Sequence, residues 1–308
     1  MAGGRTMRHV RRVLDLSREE ILHLLSRALE LKKRMKSGIP HRPLVGRVMA
    51  LIFEKPSTRT RVSFEAGMQR LGGTTIFLSR NDLQLARGEP LSDTARVLSR
   101  YVHAIVVRTF GQEVVEELAR YAEVPVINGL SDKHHPCQAM SDVMTVIEKK
   151  GDIRHLKVAW VGDGNNVAHS WMEMAARLGF ELWLACPEGY DPDPDILNEV
   201  LKIAEKPIRI VRDPQKAVKD ADVINTDVWA SMGQEEEAEE RRRIFAPYQV
   251  NAELLRHAKP DAIVLHCLPA HRGEEITEEV LEGPQSVVWD QAENKMWLHM
   301  ALLEWLLR

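Results

Sequence analysis

The sequence predicts an α/β protein of two domains, each with a mostly parallel sheet flanked by helices. Three observations carry that prediction. Short β-branched runs alternate with longer amphipathic stretches, the order that builds βαβ units. The alternation breaks at Lys149-Lys150-Gly151-Asp152 and then restarts. A length of 308 residues, at a soft prior of about 150 per domain, fits two cores in succession, over 1–150 and 151–308.

Leu14, Leu16, Ile21, Leu24, Leu25 and Leu29 open a helical pattern close to the N-terminus. The first half then predicts strands at Val48–Phe53, Thr74–Leu78, Ala104–Val107 and Val124–Ile127, each a short apolar run. Helices are expected between them at Ser57–Leu71, Ser92–Tyr101 and Gln112–Ala122, then at Pro136–Lys150. After the break come strand Lys157–Val161, helix Val167–Leu178, strand Glu181–Ala185, helix Asp195–Glu205 and strand Ile208–Val211. Further strands are expected at Val223–Asn225, Ala262–His266 and Val287–Trp289. An amphipathic helix, Glu293–Leu307, closes the chain. This last segment, about 291–308, is expected to return to the first domain. The charge run Glu235 to Arg243 places acids before bases, which suits a solvated helix aligned with its own dipole.

Composition excludes several function classes. Hydrophobic residues are 44% and charged residues 28% of the chain, so it is neither disordered nor fibrous. Lys plus Arg is 42 against 45 Asp plus Glu, a net charge of −3, without the basic excess a nucleic-acid binder needs. Three scattered cysteines, Cys137, Cys186 and Cys267, with no CxxC pair, argue against a disulfide framework or structural zinc and fit a reducing compartment. No apolar run approaches the roughly 18 residues that span a bilayer. Met1 to Arg12 is basic without an apolar core, unlike a secretory signal. It has arginine and no acid before Asp15, as a short transit sequence does, but the helical pattern begins too soon to leave much to remove. A cytoplasmic enzyme is the expectation.

Five segments carry chemistry. Phe53-Glu54-Lys55-Pro56-Ser57-Thr58-Arg59-Thr60-Arg61 follows an apolar strand and opens a helix capped by Ser57. Arginines in a first helical turn oppose the dipole unless an anion sits among them, so N–H groups, hydroxyls and guanidinium forks would converge on a phosphate. The bland alternative is a capped helix with two solvated arginines. In Asp132-Lys133-His134-His135-Pro136-Cys137-Gln138, Pro136 suits the first helical position and makes His135 the cap at a strand's carboxyl end, where ligands collect in open α/β sheets. His135 would donate to a carbonyl oxygen and Gln138 would bind an amide, while His134 reads as structural. Arg108 ends a buried-looking strand, where a charge needs a partner or a ligand.

Val161-Gly162-Asp163-Gly164-Asn165-Asn166 sits on a strand-to-helix turn. A dinucleotide reading fails twice, because Val167 stands at the third glycine position and the next strand ends Leu184-Ala185-Cys186-Pro187 without a ribose-binding acid. The paired amides suit a carboxylate or an amine instead. Asp227, in Asn225-Thr226-Asp227-Val228-Trp229, would bind a substrate ammonium or, more blandly, cap a turn. His266-Cys267-Leu268-Pro269-Ala270-His271-Arg272-Gly273 follows another apolar strand. Cys267 is there either a small core residue or a thiol assisting proton transfer.

Together these segments resemble the ornithine carbamoyltransferase family over nearly the whole chain. Ser57-Thr58-Arg59-Thr60-Arg61 and His135-Pro136-Cys137-Gln138 resemble the carbamoyl phosphate motifs of the wider carbamoyltransferases. Asp227 with Ser231-Met232-Gly233, and His266-Cys267-Leu268-Pro269, resemble the ornithine-specific motifs. The resemblance implies an N-terminal carbamoyl phosphate domain, a C-terminal ornithine domain, and a homotrimer or multiple of trimers with active sites at subunit interfaces. It implies that Ser57, Thr58, Arg59 and Thr60 bind phosphate, with Gln84 added from a neighbouring subunit. Arg108, His135, Pro136, Cys137 and Gln138 would hold the carbamoyl end, and Asn166, Asp227, Ser231 and Met232 ornithine. Cys267 and Leu268 would flank the reacting amine and also border the bound carbamoyl phosphate. Cys267, Asp227, Arg108 and His135 are the implied catalytic set, with no metal or organic cofactor, no nucleic acid and no membrane partner, and with domain closure keeping water out. Relatives usually carry arginine where this chain has Lys295. At the expected start of the final helix Lys295 would be a cation favouring a bound anion, or else a solvated residue. An aspartate-specific transferase and a catalytically inactive carbamoyl phosphate binder are the competing readings. The Ser231-Met232-Gly233 segment speaks against the first, and catalytic-type residues in both halves against the second.

Overall fold

The computed structural model describes residues 7–83 and 88–308 in two units. One unit runs to Ser141 and resumes over Asn294–Arg308; the other is Asp142–Glu293. Among the described residues the first unit holds a sheet of β1 (Val48–Phe53), β2 (Thr74–Ser79), β3 (Ala104–Arg108) and β4 (Val126–Leu130), in the order β2-β1-β3-β4 and parallel throughout. Its helices are α1 (Arg18–Lys36), α2 (Thr58–Arg70), α3 (Leu91–Leu98), α4 (Gln112–Tyr121) and the start of α5 (Pro136–Lys150). Ile52, Ile105, Val107, Val115, Leu118 and Val126 form a core between sheet and helices.

The second unit holds a parallel sheet ordered β7-β6-β5-β8-β9, built of β5 (Lys157–Val161), β6 (Glu181–Ala185), β7 (Ile208–Val211), β8 (Val223–Thr226) and β9 (Ile263–His266). Around it lie α6 (Asn166–Leu178), α7 (Pro194–Leu201), α8 (Pro214–Val218), α9 (Ala238–Phe245), α10 (Ala252–Leu255), α11 (Glu278–Leu281) and the first turns of α12 (Val288–Leu307). The expected two-sheet α/β class is what the chain adopts.

Each strand order reverses once. In the first sheet the chain moves outward from β1 to β2, then returns to β3 on the other side; in the second it moves from β5 out to β7 and returns to β8. These reversals leave crevices at the carboxyl ends of β1 and β3, and of β5 and β8, the places where open α/β sheets receive ligands. Phe53 pairs with Arg108 at the first reversal and Val161 with Thr226 at the second, so the singled-out segments begin where those strands stop.

The end of the chain returns to the first unit. Lys32 Nζ donates to Asn294 Oδ1 at 2.8 Å, and the Arg27 guanidinium reaches both Glu304 oxygens at 3.1 Å. Burial opposes ionisation of Glu304, but the Arg27 and His41 hydrogen bonds outweigh it and hold the carboxyl below its ordinary value.

Three elements differ from expectation. The strand expected at Val287–Trp289 is absent: Ser286 makes one bridge to Val264, and α12 begins at Val288. Val288, Gln291, Asn294, Lys295 and Leu298 are its buried stripe, and three polar members hide the helical period. β4 runs on through Asn128-Gly129, a pair that reads as a turn in isolation. The register passes from Val107↔Asn128 to Arg108↔Leu130, leaving Gly129 as a bulge residue on which a Cβ would sit 3.2 Å from Val107 O. The charge run forms a 3-10 turn, Glu235–Glu237, followed by α9, but Arg241 is buried and not solvated.

Candidate active site

In the first unit, β1, β3 and β4 end side by side and their loops are tied together. Glu54 N donates to Arg108 O at 2.8 Å, Thr109 Oγ1 donates to the Glu54 carboxylate, and Lys55 pairs with Asp132. Ser57 caps α2, its Oγ accepting from Thr60 N at 3.2 Å, and no acid occupies the first turn. Ser57 and Arg59 are half-buried, Thr58 is exposed and Thr60 is buried. The two arginines part company here. Arg61 lies with its guanidinium carbon 3.4 Å from the Phe77 ring centroid, whereas Arg59 makes no ion pair or hydrogen bond among the described residues.

Arg108, His135, Gln138 and Lys295 are all buried in this unit. Lys295 Nζ donates to Thr60 Oγ1 at 2.9 Å and to Gln138 Oε1 at 3.0 Å, joining the starts of α2 and α5. The solvated alternative for it fails, and one expectation is corrected: because α12 starts at Val288, Lys295 sits beyond the helix's first turns, where the dipole argument does not hold. Burial holds His135 well below its ordinary value, helped by the charges of Lys295 and Arg108, so it stays a neutral imidazole able to donate one N–H. Cys137 is pushed up to about 12 by burial and turns its thiol to Asn128 O at 3.7 Å, so any contact it makes with a ligand is through its backbone. Gln84 lies outside the described residues.

Sequence reasoning missed His299. Its ring stacks on Phe64 at 3.5 Å and Nδ1 meets Ser63 Oγ at 3.1 Å, while Ser63 donates to Thr60 O. A histidine four residues after Lys295 on one helix face was the available signal.

In the second unit the turn after β5 needs glycine, because a Cβ on Gly164 would come 2.2 Å from Pro192 N. Asn165 caps α6, its Oδ1 accepting from Val167 N and Ala168 N at 3.0 and 3.2 Å. Its Nδ2 donates to Asp227 Oδ2 at 2.8 Å. The other Asp227 oxygen accepts from Val228 N at 2.8 Å and from Cys267 Sγ at 3.1 Å. Residues 62 and 40 positions from Asp227 thus converge on one carboxylate. Asn166 is half-buried beside them. Ser231 is half-buried, with its N–H donated to Gln234 Oε1 at 2.9 Å, and Met232 is exposed. Leu268 follows Cys267 with its N–H on His266 Nδ1 at 2.8 Å.

Arg241 ties the Asp227–Gly233 loop to the turn after β5: Nη1 donates to Trp229 O at 2.9 Å and to Asp163 Oδ2 at 3.2 Å. Burial raises Asp163 to about 6, with the Asp227 charge adding to the rise and Arg241 opposing it. Asp227, His266 and Cys267 bring donor atoms within 4.8 Å of one another, but His266 Nδ1 accepts from a backbone N–H and Nε2 faces Glu275, so the imidazole keeps no lone pair for a metal. Among the described residues no helix is long and apolar enough to cross a membrane.

The two crevices differ in chemistry. The first gathers cations and N–H donors, which suit a phosphate and a carbonyl; the second centres on a carboxylate and a thiol, which suit an amine. Comparisons agree with this division. Residues 8–148 match the carbamoyl-P binding domain of aspartate/ornithine carbamoyltransferase, and residues 154–306 its Asp/Orn binding domain. The chain is 66% identical over 296 residues to ornithine carbamoyltransferase of Desulfotalea psychrophila, covering 96% of this chain and 98% of that one. The solved structure of ornithine carbamoyltransferase from Pyrococcus furiosus superposes with a TM-score of 0.94 at 55% identity, over 97% of each chain. That of Burkholderia thailandensis gives 0.90 at 45% identity, over 98% of this chain and 99% of that one.

Proposed function

The chain belongs to the aspartate/ornithine carbamoyltransferase family, and we propose that its two crevices hold the two substrates of one transfer. It transfers the carbamoyl group of carbamoyl phosphate to the side-chain amine of L-ornithine, giving L-citrulline and phosphate, a reaction of arginine metabolism. Carbamoyl phosphate belongs to the first domain, residues 1–150 with the returning last helix, and ornithine to the second, residues 151–308. The observation that carries the choice of acceptor is the Asp227 carboxylate with Cys267 Sγ at 3.1 Å, an anionic, thiol-lined place fit for an amine.

Carbamoyl phosphate carries an electrophilic carbonyl and a good leaving group. Ser57, Thr58, Arg59 and Thr60 hold the phosphate at the start of α2. Arg108 and neutral His135 polarise the carbonyl, Lys295 and Gln138 complete the cradle, and Pro136 and Cys137 bring in backbone groups. Arg108, His135, Gln138 and Lys295 are buried, and Lys295 is tied to Thr60 and Gln138, so these groups are in place to favour charge as it grows on the phosphate and carbonyl oxygens. The ornithine side-chain amine has a free pKa near that of lysine, about 10.4, and must shed a proton to attack. Asn166, Asp227, Ser231 and Met232 hold ornithine, while Cys267 and Asp227 orient the amine and accept its proton, with Leu268 beside them. The nitrogen then bonds to the carbonyl carbon as the bond to the phosphate oxygen breaks, and the second proton that the nitrogen loses leaves on the departing phosphate. The working form is a cytoplasmic homotrimer or multiple of trimers, in which Gln84 reaches a neighbouring subunit's phosphate.

The deciding assay measures phosphate release and citrulline colour with ornithine or aspartate as acceptor. Both signals should appear with ornithine and neither with aspartate; phosphate release with aspartate alone would overturn the reading. Lys295→Ala should raise the carbamoyl phosphate KM ten- to a hundredfold, the loss of one charged hydrogen bond of about 1.5–3 kcal/mol, and Lys295→Arg should restore it. An unchanged KM in the alanine variant removes Lys295 from the substrate. Cys267→Ala should lower turnover about a hundredfold and raise the ornithine KM, with the carbamoyl phosphate KM nearly unchanged. Equal losses for both substrates would make Cys267 a packing residue.

A further inference from the structure

We propose that Glu275, which lies outside every motif above, is a positioning residue that sets the Cys267-Leu268 loop through His266, and so controls ornithine and not carbamoyl phosphate; the proposal rests on the assignment of ornithine to the second unit. Both side chains, His266 and Glu275, are wholly buried. His266 Nδ1 lies 2.8 Å from Leu268 N. A backbone N–H only donates, so Nδ1 must be the unprotonated nitrogen, and the ring proton sits on Nε2. That proton points at Glu275 Oε1, 2.7 Å away. The imidazole is therefore a neutral relay: the carboxylate fixes the tautomer, and the tautomer decides whether Leu268 N–H finds an acceptor. The same Glu275 oxygen accepts from His271 N at 2.8 Å, so one carboxylate closes both ends of the loop from Cys267 to Ala270.

The loop needs this support. Leu268 sits at φ 60°, a left-handed conformation disfavoured for a residue with a Cβ. It holds only while its surroundings over-determine it, and the imidazole acceptor on its N–H does that. Cys267, the preceding residue, places Sγ 3.1 Å from Asp227 Oδ1. Without the relay Leu268 is free to relax toward negative φ, which turns the peptide joining it to Cys267 and takes the thiol off Asp227. Glu275 itself touches none of the groups proposed to meet substrate, so its effect must pass through this chain of bonds.

The hydrogen-bond account separates two substitutions. Glu275→Gln keeps an acceptor oxygen for His266 Nε2–H and His271 N; Glu275→Leu keeps the bulk and removes the acceptor. Each purified variant is assayed for KM and kcat with both substrates. Iodoacetamide labelling of Cys267 is followed in parallel by peptide mass spectrometry. Cys137 and Cys186 give a low background, because both are buried and burial pushes their thiols up. Glu275→Leu should raise the ornithine KM ten- to a hundredfold, leave the carbamoyl phosphate KM within about threefold, and change the Cys267 labelling rate at least fivefold. Glu275→Gln should stay within about threefold of the parent in all three. A folded leucine variant with unchanged ornithine KM and labelling overturns the proposal. So does a glutamine variant that loses as much as leucine, since the acceptor would then be irrelevant. If the leucine variant does not fold, the glutamine variant still decides: a tenfold rise in its ornithine KM, or a shift in labelling, overturns the proposal. Failure of the parent enzyme to use ornithine would strike the functional reading instead, and the labelling comparison would still test the relay.

Discussion

Arg59→Ala is expected to lower kcat/KM for carbamoyl phosphate by about a hundred- to ten-thousandfold while leaving the chain as stable as before, or slightly more so. The two halves of that expectation share one cause. Arg59 occupies the first turn of α2, where no acid balances it and where the helix presents its positive end. It is half-buried and has no hydrogen-bond partner among the described residues, unlike Arg61 on Phe77. A guanidinium in that place opposes the dipole by about 0.3–1 kcal/mol, a cost that a bound phosphate reverses. Two charge-assisted hydrogen bonds to phosphate, at about 1.5–3 kcal/mol each, give the expected range in rate. Arg59→Lys should fall between, keeping charge without the fork. Steady-state kinetics and thermal unfolding of the three proteins check it. Near-normal kcat/KM in the alanine variant refutes phosphate anchoring, and a marked fall in Tm would make Arg59 structural.

What the sequence disclosed tracks how local each signal is. β1, β5, β6 and β7 keep their expected bounds because a short apolar run flanked by polar residues says everything about a buried parallel strand. Ser57 as cap of α2 and Pro136 as first residue of α5 follow from rules spanning three or four positions. Failures came where meaning depends on distant partners. Gln291, Asn294 and Lys295 look like the polar face of a helix, yet they are its buried face, since partners come from far along the chain: Asp142 and His266 N for Gln291, Lys32 for Asn294, and Thr60 and Gln138 for Lys295. Arg241 looks like one more charge in an exposed run and is instead buried against Asp163, 78 residues away. In the candidate site, the residues at strand ends were legible because strand ends are. The bond from Asn165 to Asp227 and the relay from Glu275 to Leu268 were not, because neither has a fixed spacing. Strand order, which sets where the sheets reverse, decides which of these residues meet.

Asp227→Asn should be the most damaging single change in the second unit: the ornithine KM is expected to rise about a hundred- to a thousandfold, with the carbamoyl phosphate KM within about threefold. The charge is one reason, since a carboxylate facing an amine is replaced by a neutral amide. Geometry is the other. Both Asp227 oxygens act only as acceptors, one for Val228 N and Cys267 Sγ, the other for Asn165 Nδ2. An asparagine must turn its own NH2 group toward one of these donors. Asn165 cannot flip to receive it, because its Oδ1 is committed to the cap of α6. At least one part-buried donor is then left without its acceptor, at the low end of about 1–3 kcal/mol. A second, independent sign comes from Asp163. Its folded-state value of about 6 lies above the ordinary 3.8, with burial the main cause and the Asp227 charge contributing. The folded state therefore holds that proton more tightly than the unfolded state, and stability falls as pH rises from about 4 to about 6. Removing the Asp227 charge should shrink the shift and flatten that fall. Substrate kinetics at fixed pH, together with urea unfolding at pH 5 and pH 7, check both. Equal losses for the two substrates would mean Asp227 supports the fold and not ornithine. An unchanged pH dependence would mean the two carboxylates do not sense each other.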